Sequence, residues 1–141
     1  MTNKLLISVL VFLIGLLVIT VPLYIFPVCN PMVMDDGHGH TSIKMMKCFW
    51  TARAELGIGL VVIACSLVLF IAKNALIRLG ISYALIFIAL LIGAIPTVLI
   101  GICPNTMMLC NMGTLPALML LSGALLLISI VNSIYLCKKH G

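Results

Sequence analysis

The sequence predicts an all-α integral membrane protein: a four-helix bundle made of two helical hairpins in parallel repeat. Composition, span length and an internal repeat carry that prediction. Of 141 residues, 64% are hydrophobic and 8% charged, against about 25% charged in soluble domains. Three acidic residues cannot cover a water-facing surface, so a bilayer is the expected solvent. Four apolar runs reach the roughly 20 residues that the hydrocarbon layer demands. The net charge of +5 comes without a basic stripe interleaved with aromatics, which argues against nucleic acid as a partner.

The runs are residues 5–26, 51–72, 80–100 and 115–136, a single membrane domain over 1–141. Each is expected to be helical, because a spanning segment must satisfy its own backbone hydrogen bonds. The outer loops are then about 27–50 and 101–114. Lys73-Asn74-Ala75-Leu76-Ile77-Arg78 reads as a short basic turn between spans two and three. With Lys4, Lys138 and Lys139 it puts five cations on one side. Lys44, Lys47 and Arg53 lie opposite, offset by Asp35, Asp36 and Glu55. The positive-inside rule places both termini in the cytoplasm, the chain crossing the cytoplasmic membrane. Span one is read as retained, since its 22 apolar residues exceed the ~7–15 of a signal-peptide core.

The repeat is read from spacing. Pro22 precedes Cys29 by seven residues, and Pro96 precedes Cys103 by seven. Met45-Met46-Lys47-Cys48 then answers to Met107-Met108-Leu109-Cys110, and a Thr follows each, Thr51 and Thr114. The offset is 74 at the first Cys (103 − 29) and 62 at the second (110 − 48). Both hairpins start on the same side, so the repeat axis runs along the membrane normal. Gly80-x-x-x-Ala84 and Ala89-x-x-x-Gly93 let helix backbones approach. Ser122, Ser129 and Asn132 offer bonds to neighbouring helices or to their own preceding turn. Pro22 and Pro96 should bend the outer helix ends. No carboxylate or His is expected deep in a span, so no ion path is read.

Four of the six cysteines, Cys29, Cys48, Cys103 and Cys110, fall in or beside the outer loops. In an oxidising compartment they point to disulfides, and the repeat favours Cys29–Cys48 and Cys103–Cys110 over a cross-repeat pairing. Each staple would contribute about 3 kcal/mol or slightly less. Cys65 reads as a small buried hydrophobe, and Cys137 as a thiol at the cytoplasmic end. Seven of nine methionines also sit in these loops. Met45, Met46, Met107 and Met108, with His38 and His40, form a soft donor set suited to copper. The alternative is an adaptable apolar contact surface, a use to which Met is well suited. Two outer cysteine pairs on four helices also match the layout of quinone-coupled thiol oxidases, although no Cys-x-x-Cys is present.

Residues 48–59 are the densest stretch. Thr51 is placed to cap the second helix and Trp50 to anchor at the headgroups. Arg53 and Glu55 are expected to stay at the interface, Arg53 on a lipid phosphate and Glu55 near the helix N-terminus. Met-Lys-Cys-Phe-Trp-Thr-Ala-Arg-Ala-Glu-Leu-Gly-Ile-Gly at 46–59, Ile-Pro-Thr-Val-Leu-Ile-Gly-Ile-Cys-Pro at 95–104 and Thr-Leu-Pro-Ala-Leu at 114–118 resemble a family of small bacterial and archaeal membrane proteins known only as a domain of unknown function. The resemblance covers nearly the whole chain. It implies four membrane helices, no assigned activity and an ABC-type exporter permease of the macrolide type as partner. Members of that family often carry His where this chain has Phe49. The expected function is a non-catalytic accessory or partner-binding membrane subunit, with copper binding and thiol oxidation as the alternatives.

Overall fold

The computed structural model describes residues 2–25, 32–35, 41–44, 47–101 and 110–140. Helix α1 (Thr2–Thr20) runs into a π-helical turn, Val21–Ile25. A two-stranded antiparallel ribbon follows, β1 (Met32–Asp35) paired with β2 (Thr41–Lys44), with Met32 opposite Lys44 and Asp35 opposite Thr41. Then come α2 (Lys47–Ile71) and α3 (Ala75–Ala94), which ends in a second π-helical turn, Ile95–Leu99. A third such turn, Cys110–Thr114, leads into α4 (Leu115–His140). Four segments are long and apolar enough to cross a membrane: Lys4–Ile25, Phe49–Ile71, Ala75–Leu99 and Asn111–Lys138. The chain is therefore a multi-pass membrane protein with an all-α four-helix core.

Two features depart from the sequence reading. The stretch 73–78 is not a turn. The connection is only Ala72, Lys73 and Asn74, and Arg78 lies inside α3. Helices need no polar spacer beyond what reverses the chain, so α3 starts as soon as Asn74 has turned it. The first outer loop, read as plain loop, contains the β-ribbon. Its signal was present in Met32-Val33-Met34 and Thr41-Ser42-Ile43 flanking Asp36-Gly37, a dipeptide that favours hairpin connections.

Hydrogen bonds fix the pairing of the helices. Ser8 Oγ donates to the Ser66 carbonyl at 2.8 Å, joining α1 to α2. Asn132 Nδ2 donates to Ser82 Oγ at 2.7 Å, and Ser122 Oγ to the Ala89 carbonyl at 2.8 Å, joining α4 to α3. Each hairpin is thus antiparallel, and both chain ends share one end of the bundle with the 72–74 connection. The opposite, loop end carries the ribbon and the π-helical turns.

Buried positions in the two hairpins correspond. Ser8, Val11, Gly15, Val18, Val21 and Pro22 are buried in the first. Ser82, Leu85, Ala89, Ile92, Ile95 and Pro96, each 74 further on, are buried in the second. Along α2, Thr51, Glu55, Gly59, Val62, Ser66 and Leu69 are buried. Their counterparts are Thr114, Leu118, Ser122, Leu125, Ser129 and Asn132, all 63 further on and all buried. The offset set by Thr51 and Thr114 therefore governs the packing, one more than that set by Cys48 and Cys110. A π-helical turn is how a helix absorbs one extra residue, and Cys110–Thr114 lies at the place required.

The outward faces are apolar and suit a lipid bilayer: Leu13, Phe70, Phe87 and Leu127 are all exposed. Of the two small-residue pairs, only one packs inside the bundle. A Cβ on Gly93 would lie 3.0 Å from Ser122 Oγ, whereas one on Gly80 would meet nothing within 4 Å. Gly80 and Ala84 both face outward.

Candidate functional site

At the loop end, the chain emerging from α3 folds across the start of α2. Ile95 Cα–C=O is the anchor, its carbonyl accepting from Ile100 N at 3.0 Å and Gly101 N at 3.2 Å. Gly101 has φ +75, a conformation only glycine adopts without strain. That turn aims its carbonyl at α2, where Thr51 Oγ1 donates to it at 3.1 Å and to the Lys47 carbonyl at 3.3 Å. Thr51 is therefore not a helix cap. It sits a full turn inside α2 and ties that helix to the second hairpin.

One turn further along the same face lies Glu55. It was expected at the interface; the structure buries it completely, at 0% exposure. Neither carboxylate oxygen has a hydrogen-bond partner among the described residues. An uncompensated polar group in an apolar interior costs roughly 2–7 kcal/mol, and a charge far more. Burial here is lateral, against neighbouring helices, and Glu55 stays near the loop end of its span, Phe49–Ile71. Position along a span and burial are separate matters, because burial depends on the face of the helix. Thr51, Glu55, Gly59 and Val62 follow one another at steps of four, four and three, the stripe of a single buried face. That signal was available in the sequence.

The level of Glu55 along the bundle follows from its neighbours. Gly59 lies against α1, where an added Cβ would come within 2.5 Å of Ile19 Cγ1 and 3.1 Å of the Gly15 carbonyl. One turn toward the loop end, at a rise of about 6 Å, Glu55 is level with the π-helical turn at Val21–Ile25. Pro22 in that turn and its counterpart Pro96 are both fully buried. Proline has no N–H, so the carbonyls four residues back, those of Val18 and Ile92, lack their α-helical donors. Val18 and Ile92 are themselves at 0% exposure. The loop half of the bundle thus holds the Glu55 carboxyl, the buried hydroxyls of Thr51 and Thr114, and two carbonyls that proline deprives of an α-helical donor.

Arg53 does not pair with Glu55. It is exposed, and its guanidinium lies 5.2 Å from the centre of the Phe49 ring, a cation–π contact. Phe49 also meets Trp50 edge to face at 6.1 Å. Trp50 is exposed, as an anchor at the headgroups would be. Cys65 and Cys137 are free thiols, the first partly buried against the core and the second exposed. The backbones of Cys48 and Cys110 lie at the loop end, opening α2 and the third π-helical turn. Cys29 and Cys103, and the soft donor set of His38, His40, Met45, Met46, Met107 and Met108, lie outside the described residues, as do the side chains of Cys48 and Cys110.

No curated protein and no solved structure matches the chain. One family model, described as a domain of unknown function, DUF4418, matches residues 11–136, most of the chain: the chain belongs to that family.

Proposed function

We propose that the chain is a non-catalytic accessory subunit of a membrane complex, docking a partner's transmembrane helix on α3. The observation that supports this is the outward Gly80-x-x-x-Ala84 pair, with open space beyond Gly80. In lipid, helices associate by close packing rather than by a hydrophobic drive, and small residues let backbones approach. Inside the bundle such positions are already used, at Gly15, Gly59 and Gly93. A pair of the same kind facing lipid is a surface for a further helix. An ABC-type exporter permease is the partner that the family resemblance suggests.

The excess of Lys and Arg at the terminal end supports an orientation with both termini in the cytoplasm. Disulfides Cys29–Cys48 and Cys103–Cys110 would then staple the outer loops, a pairing supported by spacing alone. Intact-mass counting of alkylated thiols before and after reduction tests them, with four more thiols expected after reduction. Four thiols free from the start, with copper retained through purification, would replace the staples by the soft-metal reading.

The docking reading is tested by a photo-cross-linking amino acid at position 84, activated in native membranes, with a second at Leu127 as control. Adducts to one membrane protein from position 84, absent from Leu127 and lost in Gly80→Leu, are expected. Adducts to lipid alone, or to a second copy of the chain, would overturn the reading.

A further inference from the structure

We propose that Glu55 is the carboxylate of a binding site for one small alkali cation, taken up from the loop end in competition with a proton. The docking reading makes no use of Glu55, so the two stand separately. Four observations converge on this residue.

The first is burial without compensation: 0% exposure and two oxygens without a hydrogen-bond partner among the described residues. The second is the repeat. The counterpart of Glu55 in α4 is Leu118, also at 0% exposure. The scaffold therefore accepts a purely apolar side chain at this position, and packing does not call for the carboxyl.

The third is charge. The described elements packed against α2 bring no charged group to Glu55. On α1 the only charged residue is Lys4, at the far end. The turn after α1 carries Tyr24, which is exposed, and the turn Ile95–Leu99 carries no titratable group. On α3, Arg78 and Tyr83 sit toward the terminal end. On α4, Tyr135, Cys137 and Lys138 do likewise. On α2 itself Lys47 and Arg53 are exposed. When ionised, Glu55 is thus a single negative charge with no internal counter-charge among the described residues. One carboxylate neutralises one positive charge, which selects a monovalent cation or a proton over a divalent metal, because an unbalanced charge in an apolar interior is costly.

The fourth is the oxygen chemistry available in the loop half of the bundle. Thr51 supplies a hydroxyl one turn away, and Pro22 and Pro96 leave the Val18 and Ile92 carbonyls without α-helical donors. Oxygen donors of this kind suit hard cations rather than copper or zinc. Interrupted helices with freed carbonyls beside a site are also how membrane proteins coordinate sodium.

Carbodiimide labelling tests this directly, because the chain has only three acidic side chains and the other two, Asp35 and Asp36, are distant in sequence and fall in a separate peptide. The full chain, reconstituted in phosphatidylcholine vesicles, is treated with dicyclohexylcarbodiimide, a lipid-soluble reagent that attacks protonated carboxyls. Adducts are located by peptide mass mapping across a pH series, in sodium chloride and in choline chloride of equal ionic strength. A Glu55 adduct is expected, absent from Glu55→Gln. Sodium should slow its formation roughly tenfold at about ten times its Kd, as mass action requires, and the protection should weaken as pH falls. Lithium and potassium in place of sodium rank the site by ion size. Labelling of Glu55 that no alkali cation alters at any pH, or no labelling of Glu55 in the folded chain, would overturn the proposal. Glu55→Leu, which copies the apolar counterpart, keeps the test informative should Glu55→Gln fold poorly: it should fold and show no cation-dependent change in thermal stability, where the parent chain does.

Discussion

The two hairpins use one layout and solve its central contact in different ways. In the first, Gly15 and Gly59 cross with nothing between their backbones. A Cβ on Gly15 would come within 3.0 Å of Ile63 Cγ1 and 3.3 Å of the Gly59 carbonyl. In the second, the corresponding residues are Ala89 and Ser122, and a hydrogen bond from Ser122 Oγ to the Ala89 carbonyl links the helices. Backbone proximity in one hairpin is replaced by a polar link in the other. A turn nearer the loops the contrast sharpens, with Glu55 in one and Leu118 in the other, both fully buried. Where two copies of a scaffold differ at a buried position, the residue that the scaffold does not require is the one to examine for chemistry.

The largest expected effect comes from filling the glycine crossing. Gly59→Val should cost roughly 3 kcal/mol, since the added atoms meet the Gly15 backbone as well as the flexible end of Ile19, and overpacked cores lose about 1–3 kcal/mol or more. Ala89→Gly, which gives the second hairpin the glycine of the first, should cost far less. Denaturation in mixed micelles measures both, and equal losses would remove the distinction between the two crossings.

Next is the copy of hairpin two into hairpin one. Glu55→Leu should leave stability unchanged or raise it by about 1 kcal/mol, because an uncompensated polar group is exchanged for apolar packing. A clear loss of stability would mean that the carboxyl has a structural partner and that the comparison with Leu118 fails.

Smaller effects belong to the hydrogen bonds between helices. Asn132→Leu removes the donor to Ser82, and Ser122→Ala the donor to Ala89. Each should cost about 0.6 kcal/mol, up to about 1.7 in the better geometry, as such bonds do within membranes. Ser8→Ala, which breaks the link to Ser66 in hairpin one, should fall in the same range. Smallest of all is Gly80→Leu. It fills open space, so the isolated chain should unfold as before while its cross-links to a partner disappear.

Much of the architecture was legible in the sequence. Apolar length specified four helices, because a bilayer leaves few alternatives for a spanning chain. The spacing of Pro22 and Pro96 already told of the repeat, and the buried positions of α1 and α3 repeat at the same 74-residue offset. The enclosure of Glu55 was not read, since distance along the chain says nothing about which side of a helix meets its neighbours.

The sequence by itself determined the solvent, the number of crossings and the twofold plan, all of which follow from hydrophobic length and from local chemistry repeated at a fixed offset. Only the tertiary structure decided which small residues face protein and which face lipid, that Thr51 ties α2 to the turn at Gly101, and that Glu55 is enclosed with no hydrogen-bond partner among the described residues. Those outcomes depend on how each helix is rotated about its own axis. That rotation is set by the jointly packed surfaces of all four helices, a property that no single span contains.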